Sequence, residues 1–280
     1  MISVILITYN LSQYISYAIE SVINQTYTNW ECLIIDDGST DDTKNKVDFY
    51  STRHSNITYY YQKNKERSAA RNLGISLAKG DYIQFLDADD FLNNKKFEIQ
   101  LQSDFTKEYI LVSDYLPIAD ITNEFVANRY VSPFLGKYPL FKMILGWELK
   151  YSIPCHSFLI PRKIIIQNKI SFDTNLNNHE DWVFWCQLLY YSRKIKFQNE
   201  KLAYYRIRDN ATCVDQKVML EGFANACNVL FSFYIQRIHY PFAFIVEAKK
   251  NKLISEPENK YSYKNYLFRL IYFFERLTHL

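Results

Sequence analysis

The sequence predicts an α/β fold with a central, largely parallel β-sheet that helices cover on both faces. Short apolar runs alternate with segments of helical spacing through the first 115 residues, a pattern typical of strand–helix units and a parallel sheet. Polar clusters follow three of these runs, and ligands bind beyond the carboxyl ends of such strands. The 280 residues are 48% hydrophobic and 17% aromatic, which is enough material for a sizeable core.

The predicted elements of this first part are short and closely spaced. Strands are predicted over residues 3–7, 32–35, 57–61 and 82–86. A helix with Ile15, Ile19 and Val22 on its apolar face follows the first strand. Later helices are predicted over residues 40–52 and 69–79. Gly80 comes just after the last of these helices, and we expect it to end that helix in a left-handed conformation.

The pattern becomes less regular after residue 115. Residues 117–135 favour a loop. The later predicted elements are helices over 138–146, 162–168 and 179–191, strands over 155–160 and 201–208, and a basic helical extension from about residue 215.

Composition excludes several classes of protein. Six glycines form neither a G-x-G-x-x-G fingerprint nor a P-loop, so a nucleotide would bind without a glycine cradle. A net charge of +3 is too close to balance for a nucleic-acid-binding protein. Five cysteines without C-x-x-C spacing argue against a disulfide framework or a zinc site and predict a cytoplasmic protein. No apolar run reaches 18 residues, so we expect no membrane span.

Asp87 and Asp89 follow the strand over residues 82–86 and are two positions apart. In an extended chain both side chains point to the same side, where two carboxylates repel each other unless a cation or protons lie between them. The pattern favours Mg²⁺ or Mn²⁺ shared with substrate phosphates. A solvated turn or a helix cap is the alternative interpretation of the same residues.

Asp36 and Asp37 end the strand over residues 32–35. A carboxylate at a strand end can accept hydrogen bonds from a base imide or a ribose hydroxyl, so both residues are candidates for nucleotide binding. The residues that follow, Ser39, Thr40 or Asp41, can instead act as the N-cap of the next helix.

Five short segments occur in a specific order along the chain. They are Val4-Ile-Leu-Ile-Thr-Tyr-Asn10, Ile35-Asp-Asp-Gly-Ser-Thr-Asp41, Ala70-Arg-Asn-Leu-Gly74, Gly80-Asp-Tyr-Ile-Gln-Phe-Leu-Asp-Ala-Asp-Asp90 and Glu180-Asp-Trp182. In these segments the chain resembles the family 2 glycosyltransferases with a GT-A fold, which implies a mixed, mostly parallel central sheet flanked by helices. The resemblance is dense over residues 1–115 and includes 155–210. It implies an inverting transferase that moves a sugar from a nucleotide donor to an acceptor hydroxyl.

The resemblance also implies roles for individual residues. The nucleotide-sugar donor, which we expect to be a UDP-sugar, would be held by Thr8, Tyr9, Asn10, Asp36, Asp37, Arg67, Arg71, Asp87 and Ala88. Asp89, together with Asp87, would bind Mn²⁺ or Mg²⁺. The acceptor, a saccharide or lipid-linked saccharide, would be contacted by Glu180 and Trp182, although Glu180 could instead hold the start of its helix. We also expect His179 to contact the acceptor because it adjoins Glu180, and a structural histidine is the alternative.

Asp181 matches the general base of the family. The acceptor hydroxyl must lose a proton as it attacks the anomeric carbon, and a carboxylate within hydrogen-bond reach can take that proton. One base and a direct displacement give inversion without a covalent sugar–enzyme intermediate. The alternative role for Asp181 is charge complementarity at a helix start, since it lies in a predicted first turn.

The chain departs from the family in one motif. Many relatives have Tyr-Arg-x-His after the last strand of the sheet, whereas this chain has Tyr205-Arg-Ile-Arg208. Arginine cannot ligate a metal as a neutral donor, but it can pair with phosphate in bidentate geometry. We therefore expect Arg208 to bind the donor diphosphate. A surface arginine at a strand end is the alternative.

Three parts of the chain are predicted: a nucleotide-sugar-binding half over residues 1–115, an acceptor-binding half over 116–214 and a helical basic tail over 215–280. Residues 257–280 of the tail carry apolar residues at helical spacing among lysines and arginines. Such a helix can lie on an anionic membrane surface, which would place the protein at the inner face of the cell membrane. Packing on the catalytic domain and a homodimer contact are the alternatives.

The function we predict is sugar transfer in the synthesis of a surface polysaccharide or glycolipid. A sugar-phosphate nucleotidyltransferase also uses carboxylates and Mg²⁺, but it usually has a glycine-rich, basic N-terminal loop. Residues 9–17 contain no Gly, Lys or Arg. A non-catalytic protein that binds nucleotide sugars or carbohydrates is the third interpretation, and it would bind without turnover.

Overall fold

The structure is a computed structural model that describes residues 1–104, 106–120, 122–127, 136, 138–147, 153–208 and 216–255. The strands are β1 (Ile2–Thr8), β2 (Trp30–Asp36), β3 (Ile57–Tyr61), β4 (Tyr82–Asp87), β5 (Phe91–Leu92), β6 (Ile110–Ala119), β7 (Phe158–Pro161) and β8 (Ile195–Ile207). The helices are α1 (Ser12–Ile23), α2 (Thr43–Ser51), α3 (Glu66–Leu77), α4 (Lys96–Gln102), α5 (Pro139–Gly146), α6 (Arg162–Gln167), α7 (Glu180–Tyr191), α8 (Gln216–Gln236) and α9 (Tyr240–Ser255).

The strands form one mixed sheet in the order β3-β2-β1-β4-β7-β6-β8-β5. β1 is parallel to β2 and β4, β2 is parallel to β3, and β6 is parallel to β8. β7 is antiparallel to β4 and β6, and β5 is antiparallel to β8. These pairings confirm the predicted α/β fold with a mixed, mostly parallel sheet and a C-terminal helical extension.

Alternate residues of β1 enter two apolar cores, one on each face of the sheet. Ile5 and Ile7 belong to one core, and Val4 and Leu6 belong to the other, because successive side chains of a strand point to opposite faces. Residues of α1, α2 and α4 complete the second core, and residues of α3 and α5 to α9 complete the first. Burial on both faces explains why the strands are continuous apolar runs.

Gly80 differs from the expectation that it ends a helix in a left-handed conformation. α3 ends at Leu77, and Ala78 is already extended at φ −61° and ψ 134°. Positive φ among the described glycines occurs at Gly38 and Gly136. Gly80 is needed for close packing instead, because a Cβ at this position would lie 2.6 Å from the backbone nitrogen of Ser3 in β1.

The sequence did not predict β6 as a strand. Its ten residues include Asp114 and Pro117, which interrupt an apolar pattern, and its pairing with β8 shifts register on both sides of Asp114. β6 crosses the predicted boundary between residues 115 and 116. The predicted tail helix over residues 257–280 lies outside the described residues.

Two helices, α8 and α9, follow the sheet and pack on α7 and α5. Residues 217–236 of α8 are long and apolar enough to cross a membrane by length and composition alone, and they are the one such stretch among the described residues. In the fold a face of this stretch is part of the core, where Phe223, Cys227 and Leu230 are buried. The core helix of a soluble protein passes the same test, so the stretch is weak evidence for a membrane span.

Candidate active site

Three strand ends lie side by side at one edge of the sheet. β1 lies between β2 and β4, with Thr8 opposite Asp36 and Ile7 opposite Asp87. The three strands are parallel, so the polar residues that follow them meet at the same edge. The structure thus brings together the clusters at residues 8–10, 36–37 and 87–89, as their positions at strand ends predicted.

Asn10 fastens the loop after β1 to the loop after β2. Its backbone N–H donates to the hydroxyl of Ser39 (2.9 Å), and its side-chain oxygen accepts from the N–H of Thr40 (2.8 Å). Asn10 adopts a left-handed φ of 51°, which asparagine tolerates better than most residues with a Cβ. The side chain of Asn10 therefore shapes the edge of the sheet, and its contact with a donor stays a prediction.

Asp36 and Asp37 are adjacent in sequence but lie in different surroundings. Asp36 is fully buried, and its two oxygens accept from the N–H of Ser39 (2.8 Å) and the hydroxyl of Tyr59 (2.7 Å). Asp37 lines a cavity at the strand ends, where its Oδ1 accepts from Nε2 of Gln62 (2.6 Å). The geometry therefore favours Asp37 for contact with a ligand and gives Asp36 the role of holding the loop.

The turn after β4 is held in place by β1 and β8. The N–H of buried Ala88 donates to the carbonyl of Ile7 (3.1 Å). Arg206 is 5% exposed, and its Nε donates to the carbonyl of Asp89 (2.9 Å) while its N–H donates to Oδ1 of Asp90 (2.8 Å). Arg206 thus fixes the backbone on which the aspartates of this turn are carried.

Arg71 of α3 joins the turn after β4 to the start of α7. Its Nη2 donates to both oxygens of Asp87 (3.0 and 3.1 Å), and its Nη1 donates to Oε1 of Glu180 (3.0 Å). Arg67, one helical turn earlier, lies 3.5 Å from the same Glu180 oxygen. Burial opposes the charge of Arg71, but Asp87 and Glu180 outweigh it and raise the Arg71 pKa. Burial likewise opposes the charge of Asp87, and Arg71 holds the Asp87 pKa below its usual range.

Two cavities meet at a shared wall of Arg67, Arg71 and Asp87. The strand-end cavity, of 350 Å³, is also lined by Thr8, Tyr9, Asp37, Ala88, Asp89 and Arg208. The α7 cavity, of 280 Å³, is also lined by Tyr115, Trp147, His179, Glu180 and Asp181. A wider cleft of 710 Å³ between the loop over residues 168–174 and α8 has none of the predicted site residues in its lining. The two cavities adjoin at these side chains, so two molecules bound in them would lie next to each other.

Asp89 lies in the strand-end cavity in surroundings that disfavour its negative charge. Burial, and after it the carboxylates of Asp90 and Asp87, raise the pKa of Asp89 to about 7 against the lowering effect of Arg208. Arg208 lies with its Nε 2.8 Å from Oδ2 of Asp89. Arg71 is engaged by Asp87 and Glu180, so Arg208 is the guanidinium that pairs with Asp89. The raised pKa shows that this pairing does not offset burial and the neighbouring carboxylates, which suits Asp89 to a cation. Arg208 lies at the cavity wall, and its contact with a diphosphate stays a prediction.

Asp181 faces the α7 cavity. Burial and the neighbouring Glu180 raise the pKa of Asp181 to about 7, while Arg71 and Arg67 lower it. Its Oδ1 accepts from the N–H of Trp182 (2.7 Å). A carboxylate that titrates near neutrality can take up a proton and release it again, which is the property a general base needs.

Two residues predicted to contact the acceptor differ in their access to the α7 cavity. Trp182 is fully buried, with its Nε1 donating to the carbonyl of Met143 (2.9 Å) and its ring stacked on Phe223 at 5.1 Å. His179 precedes α7 in a left-handed conformation at φ 58°, and its Nδ1 accepts from Nε1 of Trp147 (3.3 Å). Trp182 therefore supports α7 by packing and does not reach the cavity, whereas His179 forms part of the wall.

Sequence reasoning missed the contacts that hold the turn after β4 from within the protein. Oδ2 of Asp90 lies 3.1 Å from Nδ1 of buried His156, and the ring of Tyr205 stacks on His156 at 6.3 Å. Asp90 and Tyr205 belong to segments that the sequence singled out, but nothing local indicates their common partner. Cys155 lines the α7 cavity, and burial raises its thiol pKa well above the ordinary value, so it is not an activated nucleophile.

The turn after β4 fits a hard divalent cation that is shared with a ligand. Among the described residues, no three His, Cys, Asp or Glu side chains form a group that could hold a metal ion by themselves. Both oxygens of Asp87 face Arg71, which leaves Asp89 as the principal protein ligand. Mg²⁺ and Mn²⁺ commonly bind through one or two carboxylates together with substrate phosphates and water, so this donor set fits such an ion.

Comparison with known proteins gives a family and several relatives. The model of the family described as "Glycosyl transferase family 2" matches residues 3–166. An uncharacterized glycosyltransferase of Rickettsia bellii is 29% identical over 226 residues, which cover 80% of this chain and 31% of the relative. The UDP-Glc:alpha-D-GlcNAc-diphosphoundecaprenol beta-1,3-glucosyltransferase of Escherichia coli is 31% identical over 190 residues, which cover 68% of this chain and 70% of the relative. The matched part of the chain spans about a third or less of several curated relatives.

Solved structures share the fold. S. aureus TarS in complex with UDP-GlcNAc superposes with a TM-score of 0.65 at 21% identity and covers 82% of this chain and 66% of the other. A mannosyltransferase from Pyrobaculum calidifontis in complex with GDP-Man and Mn²⁺ has a TM-score of 0.61 at 13% identity and covers 92% of this chain and 75% of the other.

Proposed function

The chain belongs to glycosyl transferase family 2 and is a glycosyltransferase, and on that premise we propose that it is an inverting enzyme that uses a UDP-sugar. The acceptor is a hydroxyl of a saccharide or lipid-linked saccharide. The observation that carries this proposal is the pair of adjoining cavities, with Asp89 in one, Asp181 in the other and Arg71 in the wall between them.

The strand-end cavity is the donor site in this proposal. Its lining at Thr8, Tyr9 and Asp37 offers hydroxyl, ring and carboxylate groups to a nucleoside, and Arg208 offers a guanidinium to the diphosphate. The relative from Escherichia coli is named for a UDP-Glc donor, and S. aureus TarS was solved with UDP-GlcNAc. Both support a UDP-sugar, whereas the Pyrobaculum calidifontis mannosyltransferase was solved with GDP-Man.

As the nucleoside diphosphate departs, negative charge develops on its phosphate oxygens near the turn after β4. Arg208 lies beside Asp89 and would reach the diphosphate from β8, while Arg71 is held by Asp87 and keeps a second cation at the wall. Asp89 would hold Mn²⁺ or Mg²⁺, which when bound supplies charge stabilisation to the leaving diphosphate. The Pyrobaculum calidifontis mannosyltransferase was solved with Mn²⁺, which supports a metal of this class.

The acceptor hydroxyl reacts from the α7 cavity. Asp181 accepts the hydroxyl proton as the oxygen attacks the anomeric carbon, and the bond from that carbon to the diphosphate oxygen breaks on the opposite side. Glu180 is placed differently, because its Oε1 accepts from Arg71 and lies close to Nε of Arg67. Attack and departure on opposite sides of one carbon invert the anomeric configuration.

The acceptor class is inferred from the relatives and from the shape of the site. The relative from Escherichia coli is named for a diphosphoundecaprenol-linked GlcNAc acceptor, which supports a lipid-linked saccharide. Tyr115 and Trp147, which are both almost fully buried, form part of the wall of the α7 cavity in which a sugar would lie. A cytoplasmic location, contact with the inner face of the membrane and a homodimer stay predictions.

A panel of nucleotide sugars tests the proposal. The purified chain is incubated with UDP-, GDP- and dTDP-sugars and saccharide acceptors, with and without Mn²⁺, and the anomeric configuration of the product is read by NMR. We expect transfer from a UDP-sugar with inversion and a loss of transfer on chelation. Retention of configuration would contradict the proposed mechanism, and binding of UDP-sugars without transfer or hydrolysis would favour a non-catalytic role.

A further inference from the structure

Lys249 of α9 carries a buried ammonium group at the end of α5. Its side chain is 1% exposed, and its Nζ donates to the carbonyls of Ile144 (2.8 Å) and Trp147 (2.9 Å). Carbonyls at the C-terminal end of a helix lack partners within that helix, and a cation there is favourable. The ammonium group thus ties the C-terminal extension to the segment that ends at Trp147.

The same ammonium group faces the aromatic pair beneath the start of α7. Nζ lies 4.8 Å from the ring of Trp182 and 5.0 Å from the ring of Phe223 in α8. These distances are within the range of a cation–π interaction, which is stronger when the cation is desolvated. Trp182 follows Asp181 directly, and its N–H donates to Asp181 Oδ1. This donor is the backbone N–H, so the packing that anchors the Trp182 side chain also anchors the backbone group that holds the Asp181 carboxylate.

Trp147 forms a second connection to the start of α7. It is 3% exposed, and its indole N–H donates to Nδ1 of His179 (3.3 Å). Nε2 of His179 lies 3.2 Å from the carbonyl of Met219 in α8, which fixes the ring with its proton on Nε2. His179 in turn begins α7 in a left-handed conformation, directly before Glu180. The ring of His179 is thus held between α5 and α8.

We infer that Lys249 is a positioning residue for Asp181, acting through Trp182 and through Trp147 and His179. The inference rests on the proposed role of Asp181 as the base. Lys249 touches neither cavity, so its effect on the reaction comes from the geometry of the helix start. With this role for Lys249, α8 and α9 contribute to the geometry of the active site, because Phe223 lies in α8 and Lys249 in α9. A small misplacement of a reacting group can cost about 100-fold in rate.

Lys249→Met tests the inference, with Lys250→Met as the matched control. Methionine fills a similar volume but has no charge and no donor. Lys250 lies next to Lys249 and is partly exposed, and its Nζ pairs with Glu247 and donates to Oδ1 of Asn228 in α8. We expect Lys249→Met to lower kcat for transfer about tenfold or more, with the donor KM and the affinity for UDP unchanged within about twofold. We expect Lys250→Met to match the parent protein. Equal losses in kcat and UDP affinity, or a Lys249→Met variant that matches Lys250→Met, would overturn the inference.

Hydrogen exchange measured by mass spectrometry gives a second readout that does not depend on activity. Residues 179–184 should exchange faster in Lys249→Met, while residues 82–90 at the end of β4 should not change. Faster exchange in a protein that transfers no sugar would mean that the proposed function fails, while the structural connection from Lys249 to the start of α7 is confirmed. Unchanged exchange at residues 179–184 would show that Lys249 does not hold the start of α7.

Trp147→Phe keeps the inference testable if Lys249→Met does not fold. Phenylalanine preserves an aromatic ring but removes the N–H that holds His179. We expect kcat to fall about threefold or more, with UDP affinity unchanged. An unchanged kcat in this variant would remove Trp147 and His179 from the proposed connection.

Discussion

The turn after β4 and the start of α7 each present a half-buried aspartate with a pKa raised to about 7, but in different surroundings. Asp89 has two further carboxylates beside it, and Arg208 lies at 2.8 Å. Asp181 has one acidic neighbour, Glu180, which Arg71 holds in an ion pair. Excess negative charge at Asp89 favours a cation. A single carboxylate that titrates near neutrality favours proton transfer. A raised pKa alone therefore does not distinguish a metal ligand from a base, whereas the neighbouring charges do.

Asp181→Asn tests the role of the aspartate at the start of α7, because it removes the proposed proton acceptor. An amide cannot accept the hydroxyl proton, so we expect kcat for transfer to fall by about 10²- to 10⁴-fold. The strand-end cavity is unchanged, so UDP should bind with the affinity of the parent protein. Steady-state transfer kinetics and calorimetry with UDP measure the two effects.

Asp42→Asn is the control for this substitution, because Asp42 lies at the exposed start of α2, where its Oδ1 accepts from Nδ2 of Asn45 (2.7 Å). Full activity in Asp181→Asn, or equal losses in both variants, would show that Asp181 does not act as the base.

Asp89→Asn tests the role of the aspartate in the turn after β4. The amide keeps the shape of the side chain but loses the charge that would hold a divalent cation, so we expect a loss of about 100-fold in kcat/KM, similar to the loss of one group that stabilises developing charge. Mn²⁺ affinity in the presence of UDP should fall as well, and titration followed by electron paramagnetic resonance measures it. Normal Mn²⁺ binding by this variant would mean that the metal is held elsewhere.

The strand-end side could be predicted from the sequence to a greater extent than the α7 side. Thr8, Asp36 and Asp87 follow apolar runs whose parallel pairing places their ends together, so local pattern and one topological rule are sufficient. The different roles of Asp36 and Asp37 could not be predicted, because the hydrogen bond from Tyr59 to Asp36 joins residues 23 positions apart.

The α7 side depends on contacts between distant parts of the chain. Trp182 was expected to contact the acceptor because it follows Glu180 and Asp181, but its ring lies in the core against Phe223 of α8. The contact between Arg71 and Glu180 joins residues 109 positions apart. No local signal in either segment indicates such a pairing. The motif therefore predicts Asp181 as a candidate base, but it could not predict the contacts of Arg71, Glu180 and Trp182 around it.

The pH dependence of kcat follows from the raised pKa of Asp181. The base works in its ionised form, so below a pKa of about 7 kcat should fall about tenfold for each pH unit, and it should level off above it. Transfer is measured from pH 5.5 to 9 at saturating donor, acceptor and Mn²⁺, because the pKa of Asp89 is also raised to about 7 and a bound cation would keep Asp89 ionised over this range. A flat profile across pH 7 would mean that no group with the properties of Asp181 controls the reaction.

Arg67→Gln tests which charges set the pH at which kcat falls, and we expect the smallest effect of the four predictions from this substitution. Arg67 lowers the pKa of Asp181, but its effect is smaller than those of burial, Glu180 and Arg71. Removal of a nearby cation disfavours the ionised carboxylate, so the Asp181 pKa should rise and the midpoint of the kcat profile should move to higher pH. Arg53→Gln is the matched control, because Arg53 lies on the surface at the end of α2, over the ring of Phe49. Arg67 also lines the donor site, so the profile is read at saturating donor. A midpoint that moves to lower pH would assign the fall in kcat to a group other than Asp181, since no carboxylate becomes easier to ionise when a neighbouring cation is lost.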